Sequence, residues 1–400
     1  MKPKLVLIGN GMAGVRTLEE LLRLAPDHYD ITVFGAEPHG NYNRILLSPV
    51  LAGEKTVADI ITHDLNWYRS KGITLHTGKP VTAIDRKRRR VIADDLTVDY
   101  DRLLIATGSK PIRLPIPGAD LDGVLTFRDL FDVHTLIDIA ASEQRRATVI
   151  GGGLLGLEAA VGLQKRGMEV TVVHRGSTLL DRQLDRTAGH MLRDNLERWG
   201  IGFRMKADTA AILGKDRVTG VVFKDGSETA SDLVVMAVGV QPDAELAWQA
   251  GLHCERGIVV DDTLQTYDPR IYAVGECVQH RRQTYGLVAP LWEQARVCAN
   301  HLAGFGIGRY PGSLIFTRLK VTGIDLFSAG DFNGDGELLV LKDPALNFYK
   351  KLVIRNDRLQ GVVLYGDTRD ANGYLDLIFE GTPLGSLRDT VIFDPARQAA

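Results

Sequence analysis

The chain has 400 residues, 44% of them hydrophobic and 24% charged, with a formal net charge of -2. That length exceeds what one compact core uses and implies two or three domains. The near-neutral balance excludes a globally basic nucleic-acid binder, and the longest apolar runs fall short of the roughly 20 residues of a membrane helix.

The first element is an apolar strand, "KLVLIG", with no secretory h-region before it. It runs into a Gly-x-Gly-x-x-Gly turn (Gly9, Gly11, Gly14) and then into helical periodicity. The next strand, "DITVFGAE", ends on Glu37. In this pattern Gly9 permits a tight turn and Gly11 lets the backbone approach a pyrophosphate. Gly14 lets helix and strand pack closely, and the helix N-terminus faces the phosphates. Glu37 can accept both hydrogen bonds from an adenosine ribose. His63 and His76 read as isolated surface residues, and the basic run Arg86 to Arg90 reads as a solvated hairpin between short strands at 81–84 and 91–92. A strand ending in "ATG" (Ala106, Thr107, Gly108) closes this first copy.

The pattern then repeats. "ATVIGGGLLGLEAAVGLQKRG" carries Gly151, Gly153 and Gly156 in the same strand–turn–helix context. Its following strand, "EVTVVHR", ends on His174 and Arg175 instead of an acid. An acid there favours the free 2′-hydroxyl of NAD, and an arginine can pair with the 2′-phosphate of NADP. A solvent-facing Arg175 fits equally well, so the choice of NADH or NADPH stays open. "VVMAVGVQPD" closes the second copy at Gly239.

"GIVVDDTLQTYDPRIYAVGE" next supplies a strand, a turn and a strand ending at Gly275-Glu276, which returns the chain to its first domain. The second copy is thus inserted in the first. From about Pro311 the pattern changes to short strands and a helix, "ANGYLDLIFEG". The expected class is α/β, with two Rossmann-like dinucleotide-binding domains and a C-terminal α+β domain. The expected division is 1–112 with 243–308, then 113–242, then 309–400. "DFNGDG" (Asp331 to Gly336) imitates a calcium loop but has Lys342 at the twelfth position, so a hairpin turn is expected instead. "DPARQAA" reads as a frayed tail.

Three cysteines, Cys254, Cys277 and Cys298, make no Cys-x-x-Cys or metal spacing, as in a reduced, cytoplasmic protein without disulfides. Cys277 is expected to pack beneath a cofactor. His280, Arg281 and Arg282 are placed on a connecting loop, as docking residues or as a solvated loop.

The paired fingerprints, "ATG" and "YAVGE" resemble the FAD-dependent pyridine-nucleotide oxidoreductases, over nearly the whole chain. The resemblance implies FAD on the first fingerprint and exchangeable NADH or NADPH on the second. It implies cofactor contacts at Gly9, Gly11, Met12, Ala13, Gly14, Glu37, Arg44, Val81, Ala106, Thr107, Gly108, Arg128, Gly275, Glu276 and Pro290. For the second fingerprint it implies Gly151, Gly153, Leu154, Leu155, Gly156, His174, Arg175 and Gly239. Glu158 would point toward a nicotinamide carboxamide as the catalytic candidate. Glu276 stands where the family usually has Asp, and "GLVAPLWEQA" should bring a helix N-terminus to the pyrimidine end of the flavin. "NYNRILLSPV" keeps Tyr42, Arg44, Leu47 and Ser48 of the ferredoxin and rubredoxin reductase segment but has Pro49 where those enzymes carry lysine.

Longer stretches, such as "NYNRILLSPVLAGE" and "LYGDTRDANGYLDLI", are similar to the flavoprotein portion of NAD(P)H-dependent assimilatory nitrite reductases and to electron-transfer subunits of nitrate reductases. Three scattered cysteines cannot ligate an iron–sulfur cluster. The expectation is a reductase component, or a piece of a longer chain, that passes electrons to a separate nitrate or nitrite reductase protein. A ferredoxin or rubredoxin reductase and a nucleotide-sensing flavoprotein are the alternatives. No nucleic-acid or membrane partner is expected.

Overall fold

The computed structural model describes residues 2–313, 316–321 and 323–395. Most of the C-terminal tail, 396–400, lies outside the described residues. The chain separates into two compact units. One comprises Met1–Val50, Lys55–Ile112 and Val240–Ser313; the other comprises Leu51–Glu54, Arg113–Gly239 and Leu314–Ala400.

The first unit is built on a five-stranded parallel sheet. Its order is Ile271–Ala273, Arg102–Ile105, Lys4–Ile8, Asp30–Phe34, Thr74–His76. Leu5, Val6 and Leu7 are fully buried, as expected for a central parallel strand covered on both faces. The helix Met12–Leu24 buries Val15, Leu18 and Leu21 at helical spacing, packs against the helix Val288–Leu302, and stops ahead of Pro26.

The second unit repeats that sheet: Val124–Leu125, Leu233–Met236, Arg146–Ile150, Glu169–His174, Gly202–Met205, all parallel. The two sheets differ at one edge. The Ile271–Ala273 strand follows its fingerprint in sequence, whereas Val124–Leu125 precedes its own. Two-nucleotide α/β architecture therefore holds, with the second copy inserted in the first.

The C-terminal segment forms an antiparallel sheet ordered Phe316–Val321, Ile324–Gly330, Arg358–Tyr365, Phe348–Arg355, Glu337–Asp343. The helix Ala371–Glu380 covers one face and ends at Gly381 in the left-handed conformation. In this unit Asp185 caps the helix Arg186–Arg198 and also accepts from the Tyr349 hydroxyl at 2.7 Å, with the Lys351 ammonium 3.3 Å away. The Asn195 amide bonds the Tyr365 hydroxyl at 2.5 Å.

Four expectations need correction. Asp331–Gly336 is not a hairpin turn, because the strands it joins are not neighbours: Ile324–Gly330 pairs with Arg358–Tyr365, and Glu337–Asp343 lies at the sheet's edge beyond Phe348–Arg355. The basic run is a hairpin but not wholly solvated, since Arg86 bonds Asp268 at 3.0 Å and the Tyr267 hydroxyl at 2.6 Å. His63 is half-buried, 3.0 Å from Glu19 and edge-to-face with Trp67, and His76 stacks on Phe34 at 5.0 Å. His280 is not on a loop: it ends the strand Val278–His280, fully buried, with Nε2 2.8 Å from Asp262.

Candidate functional site: two glycine cradles

Both fingerprints fold into the same device. Gly9 has φ +103°, and a Cβ there would lie 2.2 Å from the Ala106 carbonyl oxygen. Gly151 has φ +128°, and its Cβ would lie 2.2 Å from the Ala237 carbonyl oxygen. A Cβ on Gly14 or Gly156 would sit 2.8 or 2.0 Å from the carbonyl of Gly9 or Gly151. At Gly11 and Gly153 nothing lies within 4 Å. Each middle glycine caps its helix without a side-chain cap, so among the described residues no capping side chain takes the amides of the first turns at Met12, Ala13, Leu154 and Leu155. That is the arrangement a pyrophosphate needs: exposed amides, the positive helix end and open space where a Cβ would stand. On this test both cradles fit a dinucleotide.

The first cradle is braced from behind. The Asn10 side chain accepts from the Tyr68 hydroxyl at 2.6 Å, and Asn41 donates to the Asn10 carbonyl at 2.9 Å. Sequence reading missed Asn10, Asn41 and Tyr68, because only the fold brings positions 10 and 68 together. The strand Asp30–Phe34 stops short of Glu37, which stands in the loop just beyond it and is held by the Tyr42 hydroxyl at 2.8 Å and by Arg44, while Arg44 also lies over the Tyr42 ring. Pro49 falls within the short helix Leu47–Leu51.

At the same carboxyl edge of that parallel sheet, past the strands Arg102–Ile105 and Ile271–Ala273, Ser109 donates to Glu276 at 2.8 Å and the Gly275 amide donates to the buried Gln294 at 2.8 Å. The Thr107 hydroxyl bonds the Asp243 carbonyl at 2.6 Å. Ser109, Gln294 and Asp243 were not singled out in the sequence; the serine after "ATG" was the one available signal. The helix Val288–Leu302 starts at Leu287 without a side-chain cap and buries Pro290. Val81 packs partly buried against this unit's core. Cys277 is fully buried, and burial pushes its thiol up to about 11, so it carries no thiolate at neutral pH.

In the second cradle His174 is fixed: its Nδ1 accepts from the Gly152 amide at 3.1 Å. Nδ1 is the acceptor, so the proton sits on Nε2. Arg175 beside it is exposed and has no ion pair among the described residues. Glu158 is half-buried on the fingerprint helix, Gly239 takes φ +124°, and Arg128 lies in the loop before the helix Leu130–Ala141.

Two such cradles on two parallel sheets define an oxidoreductase that handles two nucleotides. The family model for pyridine nucleotide-disulphide oxidoreductase matches residues 3–298, and that for the rubredoxin NAD+ reductase C-terminal domain matches 316–382. The chain belongs to the pyridine nucleotide-disulphide oxidoreductase family, and its cofactors are FAD and a nicotinamide nucleotide. It is 49% identical to a nitrite reductase [NAD(P)H] of Bacillus subtilis, over 100% of this chain and 50% of that protein. It is 47% identical to an assimilatory nitrate reductase electron transfer subunit of the same organism, over 98% of this chain and 51% of that protein. The chain therefore spans about half the length of these relatives. Putidaredoxin reductase, solved in covalent complex with putidaredoxin, superposes with a TM-score of 0.85 at 28% identity, covering 95% of this chain and 94% of that one. Among the described residues no helix is long and apolar enough to cross a membrane.

Proposed function

We propose that this chain is an NAD(P)H-dependent FAD flavoprotein that delivers electrons to a separate redox protein in nitrate or nitrite assimilation, in the cytoplasm. The observation that carries the reading is the matched geometry of the two glycine cradles, seen together with the near-full-length likeness to nitrate and nitrite reductase chains. Residues 1–112 and 243–308 would hold FAD, 113–242 NADH or NADPH, and 309–400 would serve as an interface domain.

The chemistry supplied by the bound pair is hydride transfer from nicotinamide to flavin and onward release of single electrons. The chain's own task is placement. Amides beside Gly11 and Gly153 hold the phosphates, and Glu37, oriented by Tyr42 and Arg44, accepts the adenosine ribose hydroxyls. Gly275 and Glu276, the latter steadied by Ser109, meet the ribityl chain. The uncapped N-terminus of the helix Val288–Leu302 would face the pyrimidine end of the flavin, where its positive dipole end would favour an anionic group. Glu158 orients the nicotinamide, and His174 with Arg175 borders the second ribose.

Anaerobic mixing with NADH or NADPH should bleach the flavin absorbance. A flavin that neither nucleotide bleaches sinks the reading. Bleaching without delivery to a nitrate or nitrite reductase catalytic protein would remove only the nitrogen assignment. What remained would be a ferredoxin or rubredoxin reductase, a reading favoured by the C-terminal domain match and by the putidaredoxin reductase fold.

A further inference from the structure

In the first unit, His280 to Gln283 closes a two-residue turn: His280 N–H donates to the Gln283 carbonyl at 2.9 Å and Gln283 N–H donates back at 2.8 Å. Its central residues are Arg281 at φ 47° and Arg282 at φ 67°. Both stand in the left-handed region, where such turns prefer Asn-Gly and where a long side chain is strained. Two successive arginines there need a reason outside the turn.

The surroundings supply one. Arg281 is spent internally, donating to both Asp262 oxygens at 3.0 and 2.6 Å and to the Pro311 carbonyl at 3.2 Å. Asp262 is held at about 2, by Arg281 first and buried His280 second, so that pair stays ionised at any working pH. Arg282 is left over: its guanidinium is exposed and has no carboxylate partner among the described residues, while its carbonyl is pinned by Arg256. Arg309 borders the same open depression of about 600 Å³ and, among the described residues, bonds the carbonyls of Gly306 and Gly308 and the His301 ring but no carboxylate. Asp261 and Glu255, also on its wall, are engaged by the Thr263 amide and the Gln279 side chain. On the segment leading to Arg309, Phe305 and Ile307 are 54% and 81% exposed, and the Asn300 side chain fixes that loop by bonding the Ile307 and Gly308 amides.

We propose that the Arg281–Arg282 turn, with Arg309 and the apolar tips Phe305 and Ile307, is the seat for an acidic face of the electron-accepting protein. The strained turn presents Arg282 at a fixed angle, where a flexible loop would lose that orientation to entropy. Unspent cations in a chain of net negative charge steer an acidic partner to this spot. The turn lies five residues past Glu276, no more than about 18 Å of extended chain from the proposed flavin contact. The proposal rests on the electron-delivery reading above.

The test uses the flavin-loaded chain with rubredoxin as an acidic carrier and cytochrome c as a basic one. Arg282→Glu/Arg309→Glu should leave flavin bleaching by NAD(P)H unchanged. It should cut rubredoxin reduction at least ten-fold at low salt, with the gap closing at high salt, and should not slow cytochrome c. Arg282→Gly relieves the left-handed strain, so it should raise Tm while still slowing rubredoxin reduction. A purely structural arginine would instead lower Tm and leave the carrier rate alone. Unchanged rubredoxin reduction in the charge reversal overturns the proposal. So does a wild type that bleaches yet reduces rubredoxin no faster than cytochrome c, and either result leaves the flavin reading standing. A wild type that does not bleach overturns the flavin reading itself.

Discussion

The Ser109 hydroxyl donates to the Glu276 carboxylate at 2.8 Å, joining the residue after Ala-Thr-Gly to the acid in the loop that follows the strand Ile271–Ala273. The bond fixes one carboxylate oxygen before a ribityl chain arrives. Ser109→Ala should weaken flavin retention by about 1 kcal/mol, roughly five-fold in Kd. A fluorescence titration of the apoprotein with FAD reads it, and an unchanged Kd means Glu276 is oriented by other contacts.

The glycines of one fingerprint should separate folding from binding. Gly151→Ala forces a Cβ against the Ala237 carbonyl at a φ of +128°, and should cost about 2 kcal/mol or more of stability. Gly153→Val adds bulk only to open space, so the fold should survive and nucleotide binding should fail. Thermal melts beside NAD(P)H titrations distinguish the two, and equal Tm losses would contradict the cradle assignment.

Coenzyme choice turns on Arg175. If it pairs with a 2′-phosphate, Arg175→Ala should raise KM for NADPH about ten-fold, the size of one lost charge-assisted contact, and spare NADH. Equal changes for both nucleotides remove that role.

Cys277 should resist alkylation near pH 7.5 in the folded protein and react once denatured. Its pKa is raised by burial to about 11, from roughly 8.5 in an unfolded chain. The raised value means its contribution to stability is whole below about pH 8.5 and is lost as pH climbs toward 11. Cys277→Ser should flatten that alkaline fall in a Tm-versus-pH series. An unaltered slope would assign it to other groups.

Asp185 should matter far from either cradle. Asp185→Ala unpairs Lys351 and Tyr349 and uncaps the helix Arg186–Arg198, for a loss of about 3 kcal/mol in denaturant unfolding. A loss confined to the capping contribution, about 1 kcal/mol, would show that the ion pair adds nothing.

Periodic and local features were legible in the sequence. The strand at Lys4–Ile8, the helix at Ala371–Glu380 with its terminal Gly381, and both fingerprints follow from apolar spacing and glycine placement. Features set by strand order were not. Asp331–Gly336 reads locally as a hairpin turn, and only sheet topology sends the chain to the far edge. His280 looked like part of a basic loop because its neighbours are arginines, whereas it ends a strand whose three residues are all buried and its ring meets Asp262. Ser109 and Glu276 stand 167 positions apart, and no local signal links them.

The strands Ser109–Pro111 and Val240–Pro242 pair antiparallel, with Pro111 opposite Val240. The whole second fingerprint domain therefore leaves and re-enters its host at one rung of a ladder, as an outsized hairpin loop would. Closing such a loop costs entropy only with the logarithm of its length, so an insertion of this size burdens the host fold little. The chain is in that sense modular by splice point. A tight turn joining Pro111 to Val240 should leave the host's strand path intact, and the excised segment carries both of its ends to one place, ready to be received by another hairpin.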